Sequence, residues 1–237
     1  MSFRNTGFLI LVLALGLVAC APSATEQTAV DAPEIEDAEA TQDVATNEPA
    51  SEGEAPAAGD EDVFVLDPGL SEARFIIGEI LANAPNTVVG VNKQVQGRGV
   101  LNYIDPELST LDEFLIDSSG FETDSSLRNR AIRDFILQSD QFPIITFKPT
   151  DITGIPSQIV VGETVPFEIV GQLTIREVTQ EVIFGGEATV TAEDRVEGFA
   201  TATVLRSDFD LSIPSVPRVA GVDEEFILEI EFVAVAD

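Results

Sequence analysis

Histidine and tryptophan are absent from this chain of 237 residues, and cysteine, methionine and tyrosine occur once each. Without histidine or a second cysteine, the common arrangements for acyl transfer lack a base, and zinc-type sites lack their usual ligands. No serine lies in a nucleophile-elbow motif, and no calcium-loop motif occurs. Acidic pairs such as Asp112-Glu113 are expected by chance among 42 acidic residues. We therefore predict no enzyme, no catalytic residues, no metal and no cofactor.

Basic residues are scarce as well. Only 12 Lys and Arg stand against 42 Asp and Glu, which gives a formal net charge of −30 at pH 7. A surface of this sign repels the phosphate backbone of nucleic acids and anionic membrane surfaces. We therefore predict that the chain has no nucleic-acid partner.

The one cysteine, Cys20, directly follows an apolar run over residues 7–19, and Arg4 precedes this run. A run of this length is typical of a secretory signal and is too short to be a membrane-spanning helix. The sequence Leu17-Val18-Ala19-Cys20 resembles the cleavage site of bacterial lipoproteins, whose cysteine carries the acyl chains. We predict a signal peptide over residues 1–19 and lipidation at Cys20. The alternative is a signal peptide that is cut elsewhere.

Acyl chains on Cys20 would make the membrane a partner of this protein, because two or three chains together make release negligible. The predicted location is therefore extracytoplasmic. The protein would be anchored to the cell membrane or the outer membrane, in the periplasm or at the cell surface.

The segment after the cysteine is acidic and poor in large apolar residues. Residues 21–62 contain 13 acidic side chains and no Lys or Arg. Such a composition cannot bury enough surface to offset the entropy of the chain. We predict that residues 20–62 comprise the lipidated cysteine and a disordered acidic linker, with a partner-binding tail as the alternative.

Residues 63–237 are long enough for one folded domain. Apolar and polar residues alternate along most of this segment, which predicts half-buried antiparallel strands. Many short strands separated by Gly and Pro predict an all-β barrel or sandwich. The predicted strands cover residues 63–67, 71–81, 86–92, 94–104, 112–119, 144–152, 167–175, 178–192, 196–206 and 226–232.

One short helix is predicted over residues 126–137. Asp124 or Ser125 can cap its N-terminus, and Leu127, Ile132 and Phe135 fall on one side. We expect this helix to cover part of the barrel opening or wall.

Inside a barrel, the alternating faces supply a set of large apolar residues as the candidate lining. An eight-stranded barrel is wide enough either to be packed solid or to hold one ligand, and the periodicity does not choose between the two. The candidate ligand-binding residues are Phe75, Ile77, Val89, Phe114, Ile116, Phe147, Phe167, Ile169, Phe184 and Phe199.

Four short blocks carry a family resemblance. The segments Phe142–Phe147, Val170–Thr179 and Arg206–Phe209, together with Arg128-Asn129 in the predicted helix, are similar in order and spacing to motifs of the YceI-like, polyisoprenoid-binding family. The resemblance implies a lipocalin-like antiparallel β-barrel of about eight strands. It also implies a long apolar tunnel for an isoprenoid tail, such as that of a quinone or a polyprenyl phosphate, and an extracytoplasmic location.

The chain departs from the family pattern at several positions. Glu79 lies near the place where members commonly have a histidine, and Glu177 and Asp210 replace two motif glycines. These departures concern the identity of the ligand more than the fold.

Arg128 belongs to the one dense basic cluster of the domain, with Arg130 and Arg133. In one interpretation Arg128 lies at the tunnel mouth and contacts a diphosphate or a quinone carbonyl. In the other, the cluster is a solvated helix face with ion pairs to Asp124 and Asp134.

The leading prediction is an envelope-anchored lipoprotein that binds an isoprenoid lipid in an apolar barrel cavity, for storage or transport. The alternative is a non-enzymatic envelope interaction or structural domain whose barrel core is filled. The sequence leaves open whether two domains pair as a homodimer.

Overall fold

The structure, a computed structural model, describes residues 61–237. The predicted signal peptide and the lipidation at Cys20 lie outside the described residues, as do residues 21–60 of the predicted linker. These assignments stay predictions.

The described part of the chain is mostly β. In chain order the strands are β1 (Glu61–Leu66), β2 (Glu72–Leu81), β3 (Ala84–Asn92), β4 (Val95–Gln96), β5 (Arg98–Asn102), β6 (Thr110–Leu111), β7 (Phe114–Asp117), β8 (Ile144–Thr153), β9 (Thr164–Ile175), β10 (Val178–Ala192), β11 (Arg195–Leu205) and β12 (Val219–Ala236). The one α-helix, α1 (Ser126–Ala131), continues into a π-helical turn over Ile132–Ile136. Turns of 3₁₀-helix cover Pro106–Leu108, Ser118–Gly120 and Arg206–Phe209.

The strands form one strongly curled antiparallel sheet. The hydrogen-bonded path runs β4-β7-β8-β9-β10-β11-β12-β1-β5-β6, and β2 pairs with both β12 and β3. Its two ends meet because β4 leads into β5 through Gly97, and β6 leads into β7 through Asp112 and Glu113. Three of the barrel's staves are each divided by short breaks into two or three strands: β1 with β2, β3 with β4 and β5, and β6 with β7. Counted without these breaks, the twelve strands form eight continuous segments around a ring. The prediction of an antiparallel barrel of about eight strands is confirmed.

The interruption between β1 and β2 is held by side-chain hydrogen bonds. The backbone N–H of Gly69 donates to the carboxylate of Asp67 over 2.8 Å. The buried hydroxyl of Ser71 donates to the carbonyl of Val233 over 3.1 Å and accepts from its N–H over 3.0 Å. These bonds replace ladder hydrogen bonds at the break, so β12 pairs with both β1 and β2.

The short helix begins as predicted and ends differently. The hydroxyl of Ser125 accepts from the N–H of Arg128, which makes Ser125 the N-cap. The α-helix stops after six residues, and the π-helical turn covers most of the rest of the predicted segment.

The barrel has two distinct ends. The helix end carries the β2–β3 turn at residues 82–83, the segment 118–143, the β9–β10 turn at residues 176–177 and the segment 206–218. The loop end carries the start of β1, the loop 103–109, the loop 154–163, the β10–β11 turn at residues 193–194 and the C-terminus.

The hydrophobic core fills the helix end. Phe209 is fully buried there, and side chains from the strand ends, the helix and its π-turn pack around it. The buried cluster comprises Phe121, Ile132, Leu137, Ile145, Phe147, Leu173, Ile175, Val182, Ala202, Val204, Phe209, Leu211 and Phe226. This half of the barrel therefore closes by side-chain packing.

Candidate functional site

A cavity of about 310 Å³ occupies the barrel interior toward the loop end. Its volume lies within the range of roughly 300–1,000 Å³ that is usual for small-ligand pockets. It extends from buried core residues such as Leu173 to the residues Gly154, Ile155, Pro156 and Ile159 of the loop 154–163. The interior is thus filled at one end and vacant toward the other.

The cavity wall is almost entirely apolar. Of its 38 lining residues, the five polar or charged ones are Arg74, Arg98, Ser109, Thr110 and Glu229. Arg74 donates to the carboxylate of Glu229 over 2.5 Å, so these two side chains satisfy each other. Such a wall suits a hydrocarbon chain, because a polar ligand group without a hydrogen-bonding partner would lose its solvation there.

Six of the ten predicted ligand-binding residues line this cavity. They come from four consecutive strands, β7 to β10, and are Phe114, Ile116, Phe147, Phe167, Ile169 and Phe184. Aromatic contacts join several of them: the ring centroids of Phe147 and Phe184 lie 5.0 Å apart in an edge-on arrangement, and those of Phe114 and Phe147 lie 6.4 Å apart. The structure brings these six residues to one wall, and their binding of a ligand stays a prediction.

The other four predicted residues lie elsewhere. Phe75 and Ile77 pack against the core cluster of the helix end and do not line the cavity. Val89 and Phe199 lie on the outer face of the barrel, with 41% and 45% of their surfaces exposed. Placing these two side chains inside the barrel is wrong, because the inward positions of their strands are occupied by the buried neighbours Val88 and Ala200.

Small residues on β11 help to create the vacant space. Gly198 and Ala200 stand on the inward side of this strand, and Ala200 lines the cavity. The ring of Phe232 on the neighbouring strand β12 lies over Gly198, where an added Cβ would come within 2.6 Å of it. The ring therefore lies along the wall, and the centroid distance to Phe167 is 6.4 Å.

Glycine and phenylalanine are paired in the same way on other strands. The ring of Phe147 lies over Gly171, and the ring of Phe75 lies over Gly90, at distances that leave no room for a Cβ. In these places the glycines accommodate aromatic rings and do not open the lumen.

Several cavity residues were missed by the sequence-based list. Phe64 and Leu66 of β1 line the wall, and their alternation within an apolar strand was a signal that could have found them. Ile155, Pro156 and Ile159 belong to an irregular loop, where no periodicity indicates which side chains turn inward.

Arg128 lies at the helix end and does not line the cavity. Its guanidinium donates to the carboxylate of Glu79 over 2.9 Å and also pairs with Asp124. Glu79 is buried and accepts a second hydrogen bond from the side-chain amide of Asn86 over 2.9 Å. The predicted ion pair with Asp124 is confirmed, and the geometry gives Arg128 a partner in the protein.

Arg206 fixes the segment that follows β11. It donates to the carbonyls of Asp223, over 2.7 Å, and Leu211, over 3.2 Å, and it pairs with the carboxylate of Glu224 over 2.8 Å. The N–H of Ser207 also donates to Glu224 over 2.7 Å, and this bond holds the pKa of Glu224 below its usual range. The motif Arg206–Phe209 thus closes the helix end of the barrel.

Among residues 61–237, no group of three or more Asp, Glu, His or Cys side chains is arranged to hold a metal ion. No helix in the same range has the length and apolar character needed to span a membrane.

Comparison with known proteins gives a family. Residues 64–234 match the model of the YceI-like domain. No curated protein sequence shows a significant match. Among solved structures, one similar to this chain is a polyisoprenoid binding domain from Saccharophagus degradans implicated in plant cell wall breakdown, with a TM-score of 0.58, 13% identity and coverage of 73% of this chain and 98% of that chain. Another is BcnA from Burkholderia cenocepacia, with a TM-score of 0.56, 16% identity and coverage of 72% and 99%. Because the family model covers nearly the whole barrel, the chain belongs to the family of proteins with a YceI-like domain.

Proposed function

We propose that this protein binds the tail of an isoprenoid lipid in the loop-end cavity, for storage or transport on the outer side of a cell membrane. The observation that carries the proposal is the vacant, almost wholly apolar cavity within a barrel that is otherwise filled. A structural relative described as a polyisoprenoid binding domain supports the choice of ligand class.

The binding free energy follows from the hydrocarbon that leaves water. An isoprene unit has five carbons, and burial contributes about 0.8 kcal/mol per carbon, so each enclosed unit gains roughly 4 kcal/mol before the cost of ordering. A few enclosed units therefore suffice for firm binding.

The head group of the ligand stays at the loop end in this proposal. The wall offers few polar groups, and burial of a phosphate or carbonyl without partners is costly. Arg98 is exposed, and because its neighbours Gly97 and Gly99 stand on the inner face, its side chain lies on the outer face. Arg74 is already paired with Glu72, Glu229 and Glu231. The head group is therefore expected in solvent at the loop end, away from Arg128 at the helix end.

The anchor is the second part of the proposal. Lipidation of Cys20 would attach the protein to a membrane and place the barrel on its extracytoplasmic side. Substitution Cys20→Ser in the full chain should move the protein from the membrane fraction to the soluble fraction. Retention of the variant in the membrane fraction after a carbonate wash would contradict the anchor.

The ligand is tested by extracting protein that was purified from its own membranes and analysing the extract by mass spectrometry. The wild-type protein should release an isoprenoid lipid, and Ala200→Phe should release much less because the new ring fills the cavity. Thr201→Phe is the matched control, because this neighbouring residue points to the outer face of the same strand. An extract without isoprenoid from the wild type, or equal amounts from both variants, would refute the proposal.

A further inference from the structure

We propose that the loop end of the barrel docks on a lipid bilayer whose surface carries no net charge, through an apolar rim formed by Ile104, Leu108, Val160 and Val161. The biological role of this docking rests on the proposed function: docking would let an isoprenoid tail pass between the bilayer and the cavity without crossing water. Docking itself is a separate property of the surface and is measurable without a ligand.

The rim residues are large, apolar and exposed. Between 48% and 74% of the surface of each is accessible, although the barrel interior next to them is vacant. Ile104 and Leu108 come from the loop 103–109, and Val160 and Val161 from the loop 154–163. Exposed apolar groups that cluster at one end of a soluble domain mark an interaction surface.

The rim borders the cavity. Leu108 precedes Ser109, and Val160 follows Ile159, and both of these neighbours line the cavity. An apolar phase that covered the rim would therefore be continuous with the apolar wall. This continuity favours lipid over a folded protein partner, because a protein on the rim would close the cavity.

The charges near the rim select the kind of lipid surface. The loops 103–109 and 154–163 contain Asp105, Glu107 and Glu163 but no Lys or Arg. Carboxylates at this end oppose approach to anionic lipids. The rim therefore fits zwitterionic or uncharged head groups.

The chain reaches the domain at the same end. Sixty residues precede Glu61, and β1 starts at the loop end. A lipid anchor at Cys20, as proposed above, would thus connect the membrane to the end that carries the rim and not to the helix end.

Tyr103 links the first rim loop to the barrel. Its hydroxyl donates to the carbonyl of Glu193 in the β10–β11 turn over 2.9 Å. Burial, with nearby carboxylates, raises the pKa of this phenol, so the hydroxyl stays protonated and can keep donating. Tyrosine with an apolar ring and a bonded hydroxyl is also common at the level of lipid head groups.

The test uses the absence of tryptophan from the chain. Leu108→Trp places a single fluorophore on the rim, and Leu127→Trp places one at the helix end, where Leu127 is 75% exposed. Each full-length variant is reconstituted into phosphatidylcholine vesicles, with and without bromine on the acyl chains, and free of isoprenoid. Bromolipid should remove most of the emission of the rim variant and leave that of the helix-end variant unchanged.

A second pair of variants serves as a control for misfolding and for non-specific adsorption to the vesicles. Adding Val160→Asp to the rim variant should abolish the quenching, whereas adding Ile183→Asp, on the exposed outer wall, should leave it intact. Including phosphatidylglycerol in the vesicles should reduce the quenching. All of these variants keep the N-terminal segment that precedes Glu61 unchanged.

Equal quenching of both fluorophores, or quenching of neither, would overturn the inference. A concentration-dependent emission shift of the rim variant without vesicles would also overturn it, because that result indicates a second copy of the chain as the partner. Because the vesicles hold no isoprenoid, loss of docking leaves the proposed function standing, and an empty extract leaves docking standing.

Discussion

Removal of one phenylalanine ring should have very different costs at the two ends of the barrel. Phe209 is fully buried at the helix end, so Phe209→Ala should lower the free energy of unfolding by about 3–5 kcal/mol, through lost transfer and a new void. Phe167 borders the cavity on one side and meets Phe232 on the other. Its ring has neighbours on roughly one face, so Phe167→Ala should cost about half as much, or about 2 kcal/mol.

Chemical denaturation of the two variants and the wild type, followed by circular dichroism, measures the difference. The protein should be stripped of lipid beforehand, because a ligand bound only to the native state adds to the apparent stability. For a domain of this size each kcal/mol corresponds to about 2–4 °C in melting temperature, so a thermal scan gives an independent check. Equal losses, or a larger loss for Phe167→Ala, would refute the division into a filled end and a vacant end.

Three further predictions concern the wall and the helix end. Gly90→Ala should destabilise by about 1–3 kcal/mol, because its Cβ would overlap an aromatic ring, whereas Gly185→Ala, which meets nothing within 4 Å, should be nearly neutral in the same denaturation assay. Arg128→Ala should destabilise by about 3 kcal/mol, because it leaves buried Glu79 without its cation, yet the amount of lipid extracted per folded protein should not change. The pKa of Glu224, measured by NMR, should lie below the usual glutamate range. The contribution of this carboxylate to stability, present above about pH 4, should be lost as the pH falls through the lowered pKa. Glu224→Gln should lack that part of the pH dependence of stability.

The positions of most strands along the chain were predictable from local patterns. In β9 the alternation of apolar and polar residues matches the more buried and more exposed sides closely, so the period of two was sufficient. The boundaries were less accurate: β1 starts at Glu61, two residues before the predicted strand, because pairing with β5 draws acidic residues into the ladder.

The phase of two strands could not be predicted from hydrophobicity alone. On β11 the larger residue, Phe199, points outward while Gly198 and Ala200 point inward. The choice depends on cross-strand neighbours, since the ring of Phe232 needs the space over Gly198. Val89 is outward for a similar reason, because Phe75 lies over Gly90 on the inner face.

The sequence also did not indicate at which end of the barrel the cavity lies. An alternating pattern is compatible with either a cavity or a filled core. This barrel has a filled core at the helix end and a cavity toward the loop end. The helix end is filled because Phe209 and the residues of the π-helical turn reach across it, and these contacts join segments distant in the chain. For the same reason, the sequence did not indicate that Arg128 pairs with the buried carboxylate of Glu79.

A crystal structure of the delipidated protein, after addition of a short polyprenyl phosphate, shows directly whether the loop-end cavity holds an isoprenoid tail. If the isoprenoid tail binds in the cavity, continuous electron density for the hydrocarbon should lie along Phe167, Ile169 and Phe184, with the phosphate in solvent at the loop end. A cavity that stays empty under saturating ligand, or density confined to the helix end near Arg128, would contradict binding in this cavity.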